Sequence, residues 1–124
     1  MSSRPQFGPY SVITDGDMSS DIVSKVTIIR KMSEISYSVA WAGTAPVGSV
    51  SVQVSNDFAQ NADGTIKNPG TWNTLPLSGP TNVSGSSDNG FIDIDASGAY
   101  AIRLVYTATS GTGLMQAVIA GKVG

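Results

Sequence analysis

Residues 34–42 read Glu-Ile-Ser-Tyr-Ser-Val-Ala-Trp-Ala, with a large apolar side chain at every second position. The four apolar positions are Ile35, Tyr37, Val39 and Trp41. A period of two places all four on one face of an extended chain, whereas a helix needs a period of about 3.6. The segment therefore predicts a β-strand with one buried face.

The segment that follows repeats the alternation. In residues 49–55, Val50, Val52 and Val54 are separated by serines and a glutamine. The connection between the two segments, residues 43–48, contains glycines and a proline, which are typical of tight turns. The two segments together predict an antiparallel hairpin with one buried face.

Further candidate strands are rich in β-branched or alternating apolar residues and are separated by Gly, Pro, Asn and Asp. They lie at residues 10–14, 22–30, 72–77, 91–95, 99–107 and 114–120, with turn signals at 15–17 and 110–113. Short strands spread evenly along a chain, with no long helical period, are typical of sandwiches. The sequence predicts an all-β antiparallel sandwich of about seven or eight strands, of jelly-roll or immunoglobulin-like type.

The domain organisation follows from length and from the N-terminal composition. A chain of 124 residues has the size of one domain. Residues 1–9 contain Pro5, Gly8 and Pro9, which disfavour both helix and central strand. We therefore expect an extended N-terminal arm, residues 1–9, followed by a single sandwich domain, residues 10–124.

Two aromatic residues lie in or beside this arm. They are Phe7 and Tyr10. Aromatic side chains are enriched at the centres of protein interfaces, because they bury a large area with few rotatable bonds. Phe7 and Tyr10 are therefore candidate interface residues, and we expect the arm to dock on a neighbouring subunit.

The composition excludes several classes of function. Charged residues make up only 13% of the chain, and seven Lys and Arg stand against nine Asp and Glu with no basic run. Nucleic-acid binding and polybasic membrane binding both need such a run. No segment approaches the roughly 20 apolar residues of a membrane-spanning helix, and the N-terminus lacks the apolar core of a signal peptide. We expect a protein that is assembled in the cytoplasm.

Enzyme chemistry has little support. The chain has no cysteine and no histidine, which removes thiol catalysis, disulfides and the commonest general base. A serine nucleophile would then need a lysine base, and no lysine lies in a suggestive motif. Residues 111–113 read Gly-Thr-Gly but lack the rest of a phosphate-binding fingerprint. We expect no enzymatic activity and no cofactor.

Two polar clusters are candidate calcium sites, because oxygen ligands suit hard cations. One contains Asp15, Asp17 and Asp21, and the other contains Asp57, Asn61 and Asp63. Neither spacing matches an EF-hand loop, and both segments have the composition of ordinary solvated turns. The turn is the favoured interpretation of each, and no metal is expected.

Other candidates for a site are a carboxylate pair and three aromatics. Asp93 and Asp95 lie two apart on a predicted strand, so they share one face, as a glycoside hydrolase pair would need to. A solvated face whose charges discourage edge pairing is the favoured interpretation. Trp72, Tyr10 and Tyr106 have the chemistry to stack on sugars, but their place in the apolar alternation favours the core.

Parts of the chain resemble the small β-sandwich proteins of tailed-phage virions. The resemblance covers roughly residues 39–122, and its motifs are Trp41-Ala-Gly43, Pro46-x-Gly48-x-Val50-x-Val52-x-Val54-Ser55-Asn56-Asp57, Gly70-Thr71-Trp72-x-x-Leu75 and Tyr100-x-x-Arg103-x-x-Tyr106 followed by Ser110-Gly-Thr-Gly113. It implies that Trp41 and Trp72 are core aromatics. It also implies a structural role, as a head decoration or cement protein or as a tail or baseplate module.

These observations lead to one expectation about function and one alternative. We expect a virion structural protein, a phage capsid decoration or cement protein that binds the major capsid protein or other virion subunits. Such a protein would be a homo-oligomer with no nucleic-acid or membrane partner. The alternative is a carbohydrate- or receptor-binding sandwich module of a phage tail or baseplate.

Overall fold

Two strands of 22 residues, β4 (Glu34–Ser55) and β10 (Ala101–Lys122), organise the fold. They pair antiparallel along almost their whole length, from Glu34 opposite Lys122 to Ser55 opposite Ala101. Their alternating apolar residues favour this pairing, because each half of each strand then presents one apolar face.

The computed structural model describes residues 6–29, 34–75, 82–84, 87–95 and 100–122. Within these ranges all of the regular structure is β, which confirms the expected fold class. No helix in the described ranges is long and apolar enough to cross a membrane. Besides β4 and β10, the strands are β1 (Gln6–Asp17), β2 (Ile22–Val23), β3 (Thr27–Ile28), β5 (Ala59–Gln60), β6 (Ile66–Asn68), β7 (Asn73–Thr74), β8 (Asn82–Val83) and β9 (Ser87–Asp95).

The long strand pair has a corner in its middle. Between Ser110–Val47 and Thr112–Thr44, two residues of β4, Ala45 and Pro46, lie opposite Gly111 of β10, which is the pattern of a β-bulge. Ala45 and Gly111 both have positive φ, at 46° and 82°.

The corner also changes which side chains face inward. Before it, the odd-numbered residues of β4 from Ile35 to Trp41 are buried, and after it Val50 and Val52 are buried. Both sets belong to one hydrophobic core. The strand pair therefore folds over at the corner, so that its two halves face each other across the core.

This corner divides the antiparallel sheet into the two layers of a sandwich. The first layer has the order β1, residues 114–122 of β10, residues 34–42 of β4, and β9. In the second layer, β2 and β3 pair with residues 101–106 of β10, and β7 and β8 pair with residues 48–54 of β4. The core between the layers includes Val12, Ile35, Tyr37, Trp41, Val52, Val83, Leu104, Tyr106, Met115 and Ile119.

The predicted hairpin is wrong. Residues 43–48 do not reverse the chain, and neither do residues 110–113; both form the corner inside a continuous strand. The glycines and the proline there serve a bulge and a bend, for which the same residue types are suited as for a turn. Each half of β4 pairs with β10 instead of with the other half.

The expected boundary of the arm also differs from the structure. β1 begins at Gln6, and Gln6 and Phe7 pair with Lys122 and Gly121. The register shifts between Phe7 and Tyr10, so Pro9 and Gly8 interrupt the pairing without ending the strand. Proline is tolerated there because β1 is an edge strand. Residues 1–5 lie outside the described residues.

The strand predicted at residues 22–30 consists of two short strands, β2 and β3. Between them the buried Ser24 bonds to β10: its backbone N–H donates to the Leu104 carbonyl at 2.9 Å, and the Leu104 N–H donates to the Ser24 hydroxyl at 2.8 Å. A side-chain bond of this kind replaces a regular ladder bond. The turn expected at residues 15–17 lies inside β1, where the register shifts between Ile13 and Gly16.

Candidate functional site

Part of the outer surface of the first layer carries uncharged side chains around the exposed aromatic residue Phe91. Ser38 and Ala40 lie on β4, Gln116 and Val118 on β10, and Phe91 on β9. We call these five residues the Phe91 face. They border an open groove of about 520 Å³, lined by the five together with Val39, Asn89 and Gly90.

Exposure makes this face a candidate for protein contact. Phe91 is 67% exposed, and Leu114, on the same side of β10 as Gln116 and Val118, is 51% exposed. Among the described residues that line the groove, none is charged. The centres of protein interfaces are depleted in charge and enriched in aromatic residues, so the chemistry of the Phe91 face is that of an interface centre.

A side-chain contact at the margin of the face holds Gln116 in place. The backbone N–H of Asp15 donates to Oε1 of Gln116 at 3.0 Å, and Nε2 of Gln116 donates to Oδ1 of Asp15. Asp15 has a positive φ of 51°, so the bulge of β1 turns its backbone toward Gln116. The Asp15 carboxylate, a candidate calcium ligand in the sequence, is therefore bonded to an amide.

The outer surface of the second layer carries a different cluster. The guanidinium carbon of Arg103 lies 4.2 Å from the centre of the Trp72 ring, and Nε of Arg103 donates to Oε1 of Gln53 at 2.8 Å. Phe58 lies 5.9 Å from Trp72 in a tilted arrangement, and the indole N–H donates to the Pro69 carbonyl at 2.8 Å. This cluster fixes the loop of Trp72 against the sheet.

A smaller cavity, lined mostly by polar residues, opens between residues 54–57 and residues 71 and 73 at the end of the second layer. Its volume is about 280 Å³, and its lining residues include Asn56, Asp57, Thr71 and Asn73. Oδ1 of Asp57 accepts from the backbone N–H of Thr71 at 2.6 Å and from the hydroxyl of Ser55 at 2.8 Å. These hydrogen bonds, led by that from Thr71, lower the pKa of the Asp57 carboxyl below its ordinary value.

The structure does not gather the acidic clusters into metal sites. Among the described residues, no three carboxylate, histidine or cysteine side chains lie together in a way that would hold a metal ion. Asp17 accepts from the hydroxyl and the N–H of Ser19, and these bonds lower the pKa of Asp17. Asp21 accepts instead from the N–H of Ala108 at 2.9 Å.

The second acidic cluster forms a tight turn. Oδ1 of Asp63 accepts from the hydroxyl and the N–H of Thr65 at 2.6 Å and 3.0 Å, and Nδ2 of Asn61 donates to the Thr65 hydroxyl at 3.0 Å. These bonds close the connection between β5 and β6. Asp57 is bonded elsewhere, to Ser55 and Thr71.

The remaining candidates are spread over the molecule. The backbone of Asp93 and Asp95 lies in β9, opposite Ser36 and Glu34, and the side chains of this pair lie outside the described part of the structure. The three aromatics that were candidates for sugar binding occupy different environments. Tyr106 is fully buried, Trp72 is half-buried and Tyr10 is 58% exposed.

The core interpretation is therefore correct for Tyr106 and Trp41 and wrong for Tyr10. For Trp72 it is only partly right, because Trp72 lies on the outer surface beneath Arg103. Of the two candidate interface residues, Tyr10 is exposed and pairs with Ile119 through its backbone. Phe7 pairs with Gly121, and its side chain is outside the described part.

Sequence reasoning missed the Phe91 face, although a signal was present. Residues 91–95 alternate, and Phe91 shares its parity with Asp93 and Asp95 while Ile92 and Ile94 occupy the other parity. An aromatic residue on the polar side of an alternating strand predicts an exposed aromatic.

Comparisons with known proteins identify a fold and no family. No family model and no curated protein matches the chain. Among solved structures, the SPBc2 prophage-derived protein YomS is similar, with a TM-score of 0.51 and 11% identity over 97% of this chain and 96% of that chain. The enzymatically active domain of tailspike protein 4 of bacteriophage CBA120 gives a TM-score of 0.42 and 15% identity, over 91% of this chain but 15% of that chain. At such identities, the first likeness shows a shared fold alone, and the second supports no argument.

Proposed function

We propose that this protein is a non-enzymatic structural component of a tailed-phage virion, a decoration or cement protein of the capsid. The observation that carries the proposal is the Phe91 face, an uncharged sheet surface around a 67% exposed aromatic on a rigid sandwich. A surface of this chemistry fits burial against another protein better than contact with water.

Two further observations support the phage context. The motifs of residues 39–122 resemble those of small virion sandwich proteins. The fold also extends over nearly the whole length of a prophage-derived protein, with 97% of this chain covered.

The mechanism is passive attachment. The two layers share one core and fix the relative positions of the strands, so little conformational freedom is lost when the Phe91 face is covered. Many copies bound to a symmetric shell would sum modest contacts into a large total stabilisation. The same mechanism requires no reaction and no cofactor.

Three carboxylates of the described residues are poorly suited to act as a general acid. Hydrogen bonds lower the pKa of Asp17, Asp57 and Asp63, so these groups stay ionised near neutral pH. A general acid needs a raised pKa instead. We expect the purified protein to hydrolyse neither polysaccharide nor peptidoglycan, and turnover that disappears in Asp93→Asn or Asp95→Asn would overturn this expectation.

Binding to separated phage parts tests the proposal. Purified protein would be mixed with heads and with tails of the phage whose genome encodes it, after removal of the native copies, and sedimented. We expect the protein to sediment with heads. Sedimentation with tails would favour the alternative function, and sedimentation with neither would overturn the virion assignment.

A matched pair of variants tests whether the Phe91 face makes the contact with phage heads. Ala40→Glu places a carboxylate within the Phe91 face, and Thr107→Glu places one at an exposed position in the second layer. We expect Ala40→Glu to bind heads at least roughly tenfold more weakly, because an unpaired charge would have to be desolvated. Equal binding by both variants would exclude this face as the contact.

The alternative, a carbohydrate-binding module of a tail, is favoured by one observation. The cavity of about 280 Å³ is lined by Val54 and by residues with amide, hydroxyl and carboxylate groups, which suit sugar hydroxyls. Arg103 covers one face of the Trp72 ring, which leaves less of the ring for stacking. A glycan titration followed by tryptophan fluorescence would support this alternative if the signal saturated in the natural protein and was lost in Asn73→Ala.

A further inference from the structure

The four edges of the sandwich are unequal. In the first layer the edge strands are β1 and β9, and in the second layer the edges are formed by β2 with β3 and by β7 with β8. An edge strand presents unpaired backbone N–H and C=O groups to any strand that approaches it, so soluble proteins usually shorten, bend or interrupt their edges.

Three of these edges are protected in that way. The strands β2, β3, β7 and β8 have two residues each. β1 is longer, but it contains Pro9 and three shifts of register, between residues 7 and 10, 11 and 13, and 13 and 16. Neither a two-residue strand nor a bulged strand with a proline offers a regular template for pairing.

The fourth edge, β9, is different. Its nine residues, Ser87–Asp95, pair with β4 in one unbroken register, from Ala42 opposite Ser87 to Glu34 opposite Asp95. It contains no proline, and among the described residues its strand partner is β4 alone. In the part of the chain that the structure describes, no other strand pairs with its outer side, and its regular register makes that side a template for a further strand.

We propose that β9 pairs with β9 of a second copy of this chain, antiparallel and around a two-fold axis at Phe91. Phe91 is the middle residue of the nine, so this register uses the whole strand. In this register, residue 90 of one copy lies opposite residue 92 of the other, and residue 87 lies opposite residue 95. The two first layers join into one continuous sheet, as in other isologous strand pairings.

In this register no two acidic residues of β9, which are Asp88, Asp93 and Asp95, lie opposite each other. With the axis at Phe91, position 93 lies opposite Asn89 of the second copy, and position 95 lies opposite Ser87. An axis at residue 93 would instead place two Asp93 residues face to face, and an axis at residue 94 would place Asp93 opposite Asp95. Like charges directly opposite destabilise a strand pair, so the acids tolerate the centred pairing and penalise these shifted ones.

Phe91 gives the pairing its apolar contact. The centred register places the two Phe91 residues directly opposite each other on the same face of the joined sheet. Cross-strand aromatic pairs stabilise antiparallel sheets, and this register would bring together two rings that are each 67% exposed in the single copy. The pairing depends on no feature of a phage particle, so its failure would leave the proposed function standing.

The first test is the oligomeric state. Sedimentation velocity over a range of concentrations should show a reversible monomer–dimer equilibrium. Phe91→Asp, which sets two carboxylates face to face, should weaken the dimer roughly tenfold or more. Val23→Asp makes the same change at a 56% exposed residue of the short β2 edge and should leave the dimer unchanged. A natural protein that stays monomeric, or equal weakening by both variants, would overturn the proposal.

The second test reads the register directly. The chain has no cysteine, so each introduced cysteine is unique. Opposed residues of an antiparallel pair lie within disulfide reach, so Phe91→Cys should give a covalent dimer on mild oxidation. Asp95→Cys should not, because the two copies of residue 95 would lie roughly 26 Å apart.

A mixed sample completes this test and does not depend on Phe91. Asn89→Cys mixed with Asp93→Cys should give the heterodimer, since residues 89 and 93 are opposed in the centred register. Crosslinking of Asp95→Cys with itself, or a failure of the mixed pair to crosslink while circular dichroism shows both variants folded, would contradict the register.

Discussion

Gly111 of β10 lies against the backbone of Ala45 in β4, with no room between them for a Cβ atom on Gly111. Both residues have positive φ, and together they form the corner at which the two long strands fold over. Glycine adopts positive φ without steric cost, so Gly111 satisfies two requirements at once: the backbone angle and the close approach.

Gly111→Ala should therefore be strongly destabilising. The positive φ alone costs a residue with a Cβ about 1–3 kcal/mol, and contact with the Ala45 carbonyl adds to that cost. Urea denaturation measures the change in the free energy of unfolding.

Two other glycines separate the cost of the positive φ from the cost of the close contact. Gly64 has φ of 89° but open space around its Cβ position, so Gly64→Ala measures the cost of the angle. Gly90 lies in β9 with open space and no positive φ, so Gly90→Ala should be neutral or slightly stabilising. If Gly111→Ala is no worse than Gly64→Ala, close packing at the corner has no energetic role.

The corner between the two halves of β4 could not be predicted from the sequence. The alternation in residues 34–42 and 49–55 correctly predicted two stretches of strand with one buried face each. The residues between them, including Pro46 and Gly48, suit a hairpin turn and a bulged corner equally well. The choice depends on which segment pairs with which, and here the paired residues of β10 lie 46 to 88 positions further along the chain. Local residue preferences carry no information about that partner.

The two tryptophans should differ in their contribution to stability. Trp41 is buried in the core at 8% exposure, and Trp41→Ala should cost about 3–5 kcal/mol. Trp72 is half-buried on the outer surface, so Trp72→Ala should cost clearly less. Thermal unfolding of both variants, followed by circular dichroism, gives the comparison. Equal losses would mean that Trp72 belongs to the core after all.

The stacking of Arg103 on Trp72 should appear as a coupling energy. A cation over an aromatic face at a partly exposed site contributes about 0.5–1 kcal/mol. The double-mutant cycle of Arg103→Met and Trp72→Leu should give a coupling of this size, because the 4.2 Å contact exists only when both side chains are present. Gln53→Ala serves as a control for the hydrogen bond that Arg103 also makes. A coupling near zero would show that the contact is not stabilising.

The Phe91 face was less predictable from the sequence than the core, and the reason is physical. Burial favours large apolar residues at regular spacing, so a period of two is enough to predict that Ile35, Tyr37, Val39 and Trp41 are buried. A surface site depends on which exposed residues from different strands come together. Phe91 and Val118 are 27 positions apart in the sequence and meet only because β9 and β10 both pair with β4.

Asp57 should make the stability depend on pH in the acid range. Hydrogen bonds from Thr71 and Ser55 hold its folded-state pKa below the unfolded value of about 3.9. Its contribution is therefore complete above that pH and is lost as the pH falls through the folded-state pKa. Asp57→Asn keeps an acceptor oxygen but cannot titrate. The natural protein should be the more stable of the two at pH 7, and the difference should shrink below pH about 4; a difference independent of pH would contradict this assignment.

The start of β1 at Gln6 divides the N-terminal arm into two parts. Deletion of residues 2–5 leaves every described strand pair intact, so the melting temperature should not change. Deletion of residues 2–9 also removes the pairing of Gln6 and Phe7 with Lys122 and Gly121. That should lower the melting temperature by roughly 4 °C for each kcal/mol lost.

The same two deletions test whether the arm docks on a neighbouring subunit. If the arm is an interface element, deletion of residues 2–5 should weaken binding to phage heads while the melting temperature stays constant, because binding and folding would then depend on different residues. Tyr10→Ala, at a 58% exposed position just beyond the arm, should weaken binding in the same way. Ile66→Ala is the matched control, since Ile66 is 60% exposed but lies in the separate β5–β6 hairpin. If the shortened protein and Tyr10→Ala both bind heads as well as the full chain does, neither the arm nor Tyr10 contributes to docking, and the interface prediction made from the two aromatics is wrong.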